Sequence, residues 1–158
     1  MSYPDVLIVD RSSSRALVCV EAKLRVPNLV DTETQLKAYM QGTRCPIGML
    51  ATPETLRVFV DDYGTTAVDS VAVVGQFDMR DVPGWPIPAA PPDVRDAAFA
   101  FEAAVQRWVE RLGSKAYRAS LPDALRDLIE EHVVPALFVG EVRAAGPRWR
   151  HHSETAAT

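Results

Sequence analysis

Asp5, Glu21 and Lys23 are the residues of this chain whose types and spacing suit chemistry at a phosphate. Two carboxylates brought together suit a hard divalent cation. Mg²⁺ accepts one or two carboxylates, keeps several waters and takes substrate phosphate as a further ligand. Such an ion polarises the phosphate and acidifies a bound water. An ammonium beside it orients or deprotonates that water, or stabilises the charge that builds up at phosphorus. Asp5 and Glu21 are therefore the expected ligands of Mg²⁺, with Mn²⁺ as a substitute. The backbone carbonyl of Ala22 completes the expected metal shell.

The elements needed to gather these groups are legible around them. Val6 to Val9 is a short β-branched run between Asp5 and Asp10 and reads as a buried strand. Ala16 to Lys23 reads as a second strand, and the polar link Arg11–Arg15 makes the pair an antiparallel hairpin. Residues two apart share a face of a strand, so Glu21 and Lys23 project together and Val18, Val20 and Ala22 face a hydrophobic layer. The start of the first strand then lies beside the end of the second, which carries Asp5 to Glu21 and Lys23. A charged pair ending an apolar strand costs desolvation energy unless it is paired or used. The plainer reading of Glu21 and Lys23 is a surface ion pair.

A helix over about Glu33–Thr43 follows, with Thr32 as N-cap, Asp31 as a competing cap, and Gly42 as its stop. Gln35 is the capping-box partner of Thr32 on this reading, and Tyr39 shares the apolar stripe with Leu36 and Met40. Strands at Ile47–Ala51, Leu56–Val60 and Ala67–Val74 complete an α/β arrangement with a mixed sheet.

Taken together, Pro4-Asp5, fifteen residues and Glu21-Ala22-Lys23 resemble the PD-(D/E)xK nuclease motif. Gln35 and Tyr39 resemble the Q-x-x-x-Y element of RecB-like members. The stretch from about Tyr3 to Val60 is similar to the N-terminal nuclease domains of type I restriction-enzyme R subunits. The resemblance implies a restriction-endonuclease-like core and Mg²⁺-dependent hydrolysis of DNA phosphodiesters. Asp5 and Glu21 would be metal ligands, Lys23 the catalytic base, and Gln35 and Tyr39 would support the site or contact substrate. Members of that superfamily usually carry a helix and a strand ahead of the proline-aspartate element, and the helix often supplies another acid. Neither fits ahead of Asp5. The expectation is a sheet edge open to pairing, a homodimer, or a partner subunit that supplies the missing elements. The alternative is a catalytically inactive interaction subunit of a larger assembly that keeps this fold. An RNA-directed nuclease on the same scaffold is a weaker third.

The remaining chain reads as support. Residues 75–93 hold five of the twelve prolines and read as a semi-rigid linker, with Trp85 as an anchor. Two helices follow, about Val94–Leu112 with Asp93 as cap, and about Leu121–Val134 with Ser120 as cap; Pro135 kinks or ends the second. They form a helical pair over residues 94–140, and residues 141–158 read as a flexible tail. The α/β core is confined to residues 1–74.

Composition narrows the classes. The chain has 158 residues, 47 % of them hydrophobic, enough for one ordinary domain. A net charge of −4 argues against a general nucleic-acid coat. The first fifty residues nevertheless carry six basic against five acidic side chains, so the acidic excess lies beyond them. Cys19 and Cys45 have no CxxC spacing and read as reduced thiols. The histidines are His132, His151 and His152, too few and too scattered for a catalytic set. No GxSxG, P-loop or Rossmann glycine pattern is present. Without a signal peptide or an apolar run of membrane length, the expected location is the cytoplasm.

Overall fold

The computed structural model describes residues 3–63, 70–88 and 94–145. His151, His152, the cap assigned to Asp93 and the beginning of the strand expected at Ala67 lie outside them.

The leading hairpin forms as its pattern dictates. β1 (Val6–Asp10) and β2 (Ala16–Ala22) pair antiparallel, with Val6 opposite Val20 and Ile8 opposite Val18. Asp10 shapes the turn between them: its Oδ1 accepts the N–H groups of Ser12 and Ser13 at 2.8 and 3.0 Å. Those bonds hold its carboxyl below the usual range.

The helix α1 spans Leu29–Thr43, one turn earlier than its sequence pattern indicated. The cap is Asn28, whose side chain accepts the Asp31 N–H at 3.2 Å. Thr32 is already inside the helix, and its hydroxyl bonds back to the Asn28 carbonyl at 3.1 Å. The capping box with Gln35 therefore does not form. Nor does Gly42 stop the helix. Arg44 takes the left-handed conformation (φ 56°) and its N–H, with that of Cys45, closes the last carbonyls. Pro46 follows and cannot extend the turn.

Beyond α1 come β3 (Ile47–Ala51), parallel to β2, then β4 (Thr55–Asp61) and β5 (Val71–Asp78), each antiparallel to its predecessor. Gly48 permits α1 to lie close on β3, because a Cβ there would stand 2.5 Å from the Met40 sulfur. β5 continues through Gly75 to Asp78, and Met79, Val82 and Trp85 are buried in the main core. The proline-rich segment thus packs as part of the body. Trp85 is the anchor: its Nε1 donates to Pro53 O at 3.1 Å and its ring meets Trp108 edge-on, centroids 4.7 Å apart.

The C-terminal half holds α2 (Val94–Arg111), α3 (Lys115–Ala119), α4 (Asp123–His132) and α5 (Val134–Val139). The helix expected from Leu121 to Val134 is thus shorter. Ser120 closes α3, its Oγ donating to Tyr117 O at 2.6 Å, and Pro122 takes the cap position of α4. Pro135 lies in the first turn of α5, where the missing N–H costs nothing.

The largest departure follows. Residues 141–144, expected within the flexible tail, form with Gly140 the strand β6 (Gly140–Ala144), which pairs antiparallel with β1 over five residues. The sheet order is β5-β4-β3-β2-β1-β6. Strand parity distributes its side chains. Val6, Ile8, Val18, Val20, Met49 and Val58 pack with Phe101, Trp108, Leu125 and Ile129 of the late helices. Cys19, Leu50 and Phe59 pack on the other face with Leu36, Tyr39 and Met40 of α1. The architecture is α/β, a six-stranded mixed sheet with helices on both faces and two cores. No helix among the described residues is long and apolar enough to cross a membrane.

Candidate active site

The end of the β1–β2 pair is where the site is built. The register that pairs Val6 with Val20 sets Asp5 beside the Glu21–Ala22 end of β2. Pro4 lacks an N–H and the ladder stops there. The side chain of Asp5 takes over, its Oδ2 accepting the Ala22 N–H at 2.8 Å. Lys23 Nζ lies 3.0 Å from Glu21 Oε1. The structure therefore brings Asp5, Glu21 and Lys23 together. Asp5 and Glu21 are buried, while the Lys23 side chain keeps 42 % of its exposure.

A fourth charged group was not found from sequence. Glu102, on α2, is 7 % exposed, and its negative charge acts on Asp5. One sequence signal could have exposed it. Glu102 falls three residues before Val105 and seven before Val109, on the stripe that otherwise carries the apolar side chains of this helix. A carboxylate in such a stripe needs a partner or a use.

Burial and crowding raise the acids. Asp5 is pushed up to about 7, first by burial and then by the negative charge of Glu102, against the opposing Ala22 N–H and Lys23. Glu21 is raised by burial and by Asp5, with Lys23 opposing. At Lys23 burial works against the charged form, but Glu21, Asp5 and Glu102 together outweigh it and hold the ammonium above its ordinary value. Lys23 is thus a cation at neutral pH.

Next along the sheet, Glu21 stands beside Leu50, and Leu50 beside Arg57. Arg57 pairs with Glu33 at 2.6 Å, which fastens the first turns of α1 to β4 two strands away from Glu21.

Gln35 and Tyr39 are not drawn into this group. Gln35 is exposed on α1 and makes no hydrogen bond to Asp5, Glu21 or Lys23. Tyr39 is buried in the smaller core, edge-on to Tyr3 with centroids 6.4 Å apart, and burial pushes its hydroxyl up to about 12. Leu36, Tyr39 and Met40 point inward from α1, and Gln35 lies outside that stripe.

Among the described residues no group of three or more His, Cys, Asp or Glu side chains is placed to hold a metal ion. Asp5, Glu21 and Glu102 are nonetheless buried carboxylates, Lys23 lies against Glu21, and Asp5 is lifted to about 7. Added positive charge would relieve that crowding. No protein-family model matches the chain, and no curated protein or solved structure does either.

Proposed function

We propose that this chain is a Mg²⁺-dependent DNA endonuclease domain of restriction or defence type, with a PD-(D/E)xK-like core. One observation carries the reading: Asp5, Glu21 and Lys23 converge at one strand end with a buried third acid, Glu102, against them. The elements that the resemblance places ahead of the proline-aspartate have counterparts later in the chain. β6 pairs along the outer edge of β1, and α2 presents the acid. This arrangement supports the fold assignment.

Asp5 and Glu21 would hold Mg²⁺ or Mn²⁺, with Glu102 and the Ala22 carbonyl as further oxygen donors. When bound, the ion supplies polarisation of the scissile phosphate and acidification of a water. The protein's own part is positioning. The Ala22 N–H fixes one oxygen of Asp5. Glu21 holds Lys23 in place. The Lys23 ammonium then orients the attacking water and offsets negative charge as the phosphorus–oxygen bond to the leaving sugar breaks.

The test is cleavage of plasmid and single-stranded DNA in Mg²⁺ or Mn²⁺, comparing the wild type with Glu21→Ala and Lys23→Ala. The expected result is cutting by the wild type and loss of ~10²-fold or more in each variant, with circular dichroism unchanged. A wild type that does not cut, or variants that cut equally well, would leave the inactive interaction subunit as the reading.

A further inference from the structure

β6 ends the sheet, and its hydrogen-bond directions follow from the ladder it makes with β1. The Ala145 N–H donates to Asp5 O at 2.9 Å, and the Arg11 N–H donates to Val139 O at 3.1 Å. The five-residue register between them is unbroken. Odd-numbered residues of β6 thus spend their backbone groups on β1. Gly140, Val142 and Ala144 turn theirs outward, where no strand among the described residues pairs with them.

The side chains of this edge read the same in both directions. Glu141 and Arg143 flank Val142 on one face of the strand, both are exposed, and within one copy they pair with each other. An antiparallel copy centred on Val142 sets each Glu141 opposite the other copy's Arg143. Two opposite-charge cross-strand pairs result, in the closer, non-hydrogen-bonded positions. Gly140 and Ala144 then exchange backbone bonds across the pair. Immediately before the strand, Phe138 is 79 % exposed, the highest among the large hydrophobics of the described residues, and Val139 is half exposed. Both adjoin the edge that a second copy would cover.

The opposite edge lacks these features. β5 carries a register shift that leaves Val74 without a partner residue on β4, and it has no charged side chain from Val71 to Phe77 to set a register.

We propose that the outer edge of β6 pairs antiparallel with β6 of a second copy of this chain, joining two six-stranded sheets into one about a twofold axis. The axis stands perpendicular to the sheet, so both Asp5–Glu21 groups come to the same side. The proposal is independent of what the site does.

Sedimentation velocity and light scattering of the full chain test it, with Glu141→Arg, Arg143→Glu and the double exchange. The wild type is expected as a dimer at micromolar concentration. Each single variant sets like charges opposite each other and is expected to dissociate at least tenfold more readily. The double exchange restores complementarity and the dimer; because it also restores the ion pair that Glu141 and Arg143 make within one strand, Phe138→Asp, which leaves that pair intact, is measured beside it. Should a single variant misfold, Phe138→Asp provides a second reading, because its side chain stands in solvent and the fold does not need it. It is expected to weaken the dimer by a similar factor. A monomeric wild type, a dimer indifferent to the single variants, or a double exchange that stays monomeric would each overturn the proposal. So would a dimer abolished by Val73→Lys on β5 alone.

Discussion

Asp5 and Ala22 are joined by a hydrogen bond from the Ala22 N–H to Asp5 Oδ2, 2.8 Å long, across the end of the β1–β2 pair. A carboxylate of the candidate site thus completes a strand ladder that Pro4 cannot continue. The two roles separate by substitution. Asp5→Asn keeps an acceptor for Ala22 and removes the charge, so the metal-free variant should be more heat-stable than the wild type at pH 8. Asp5→Ala leaves a buried donor unpaired and should be less stable than Asp5→Asn by ~1–3 kcal/mol. Both should lose divalent-cation binding. Thermal denaturation with and without Mg²⁺ measures all three.

The raised acids set a pH dependence whose sign is unusual for carboxylates. Asp5 rises to about 7 in the folded chain from an ordinary value near 3.8. Between those values the folded state binds the proton more tightly than the unfolded state, so stability falls as pH rises. Glu21 is shifted in the same direction. The stability contributed by Lys23 is lost only at more alkaline pH, because its value is raised. Metal-free protein should therefore melt at progressively lower temperature from pH 5 to pH 8. Mg²⁺ or Mn²⁺ should restore the lost stability, and by more at pH 8 than at pH 5. A flat metal-free profile over that range would contradict the crowded-carboxylate account.

The proline-rich segment should behave as core. Trp85 packs edge-on against Trp108, and Trp108 Nε1 donates to the Tyr117 hydroxyl at 2.8 Å, which in turn bonds to Pro83 O. Trp85→Ala removes a buried ring and should cost ~3–5 kcal/mol in denaturant unfolding. Lys23→Ala, by contrast, breaks a partly exposed ion pair and should cost less than ~1 kcal/mol. Because α2 carries Glu102 as well as Trp108, the Trp85 variant should also bind Mn²⁺ more weakly.

The parts of this molecule readable from sequence are those set by local pattern. The alternation in Ala16–Lys23 gives both the strand and the face shared by Glu21 and Lys23, and the polar turn after Asp10 brings Asp5 alongside. Helix ends were less legible, because Asn28 and Thr32 are both good caps and only the reach of the Asn28 side chain to Asp31 decides between them. β6 was not legible at all. Gly140–Ala144 has two charged residues and one β-branched residue, and it becomes a strand because β1 offers it a ladder. Gln35 was assigned by its spacing from Tyr39, yet that spacing fixes only a helix and not which part of the helix meets the site.

Glu102 gives the sharpest test of how the site is put together, because it reaches Asp5 from a helix distant in sequence. Its negative charge raises Asp5, and its side chain is buried. Glu102→Gln keeps the volume and removes the charge. Asp5 should then titrate lower, and the fall in metal-free stability with pH should move to lower pH, with higher stability at pH 8. If Glu102 serves only packing, that gain would be the whole effect. If it is an oxygen donor of the site, the same variant should bind Mn²⁺ less tightly in calorimetric titration, by tenfold or more, while its fold becomes more stable. Stability and affinity moving in opposite directions is the expected signature, and a variant that gains stability with unchanged Mn²⁺ affinity would remove Glu102 from the metal site.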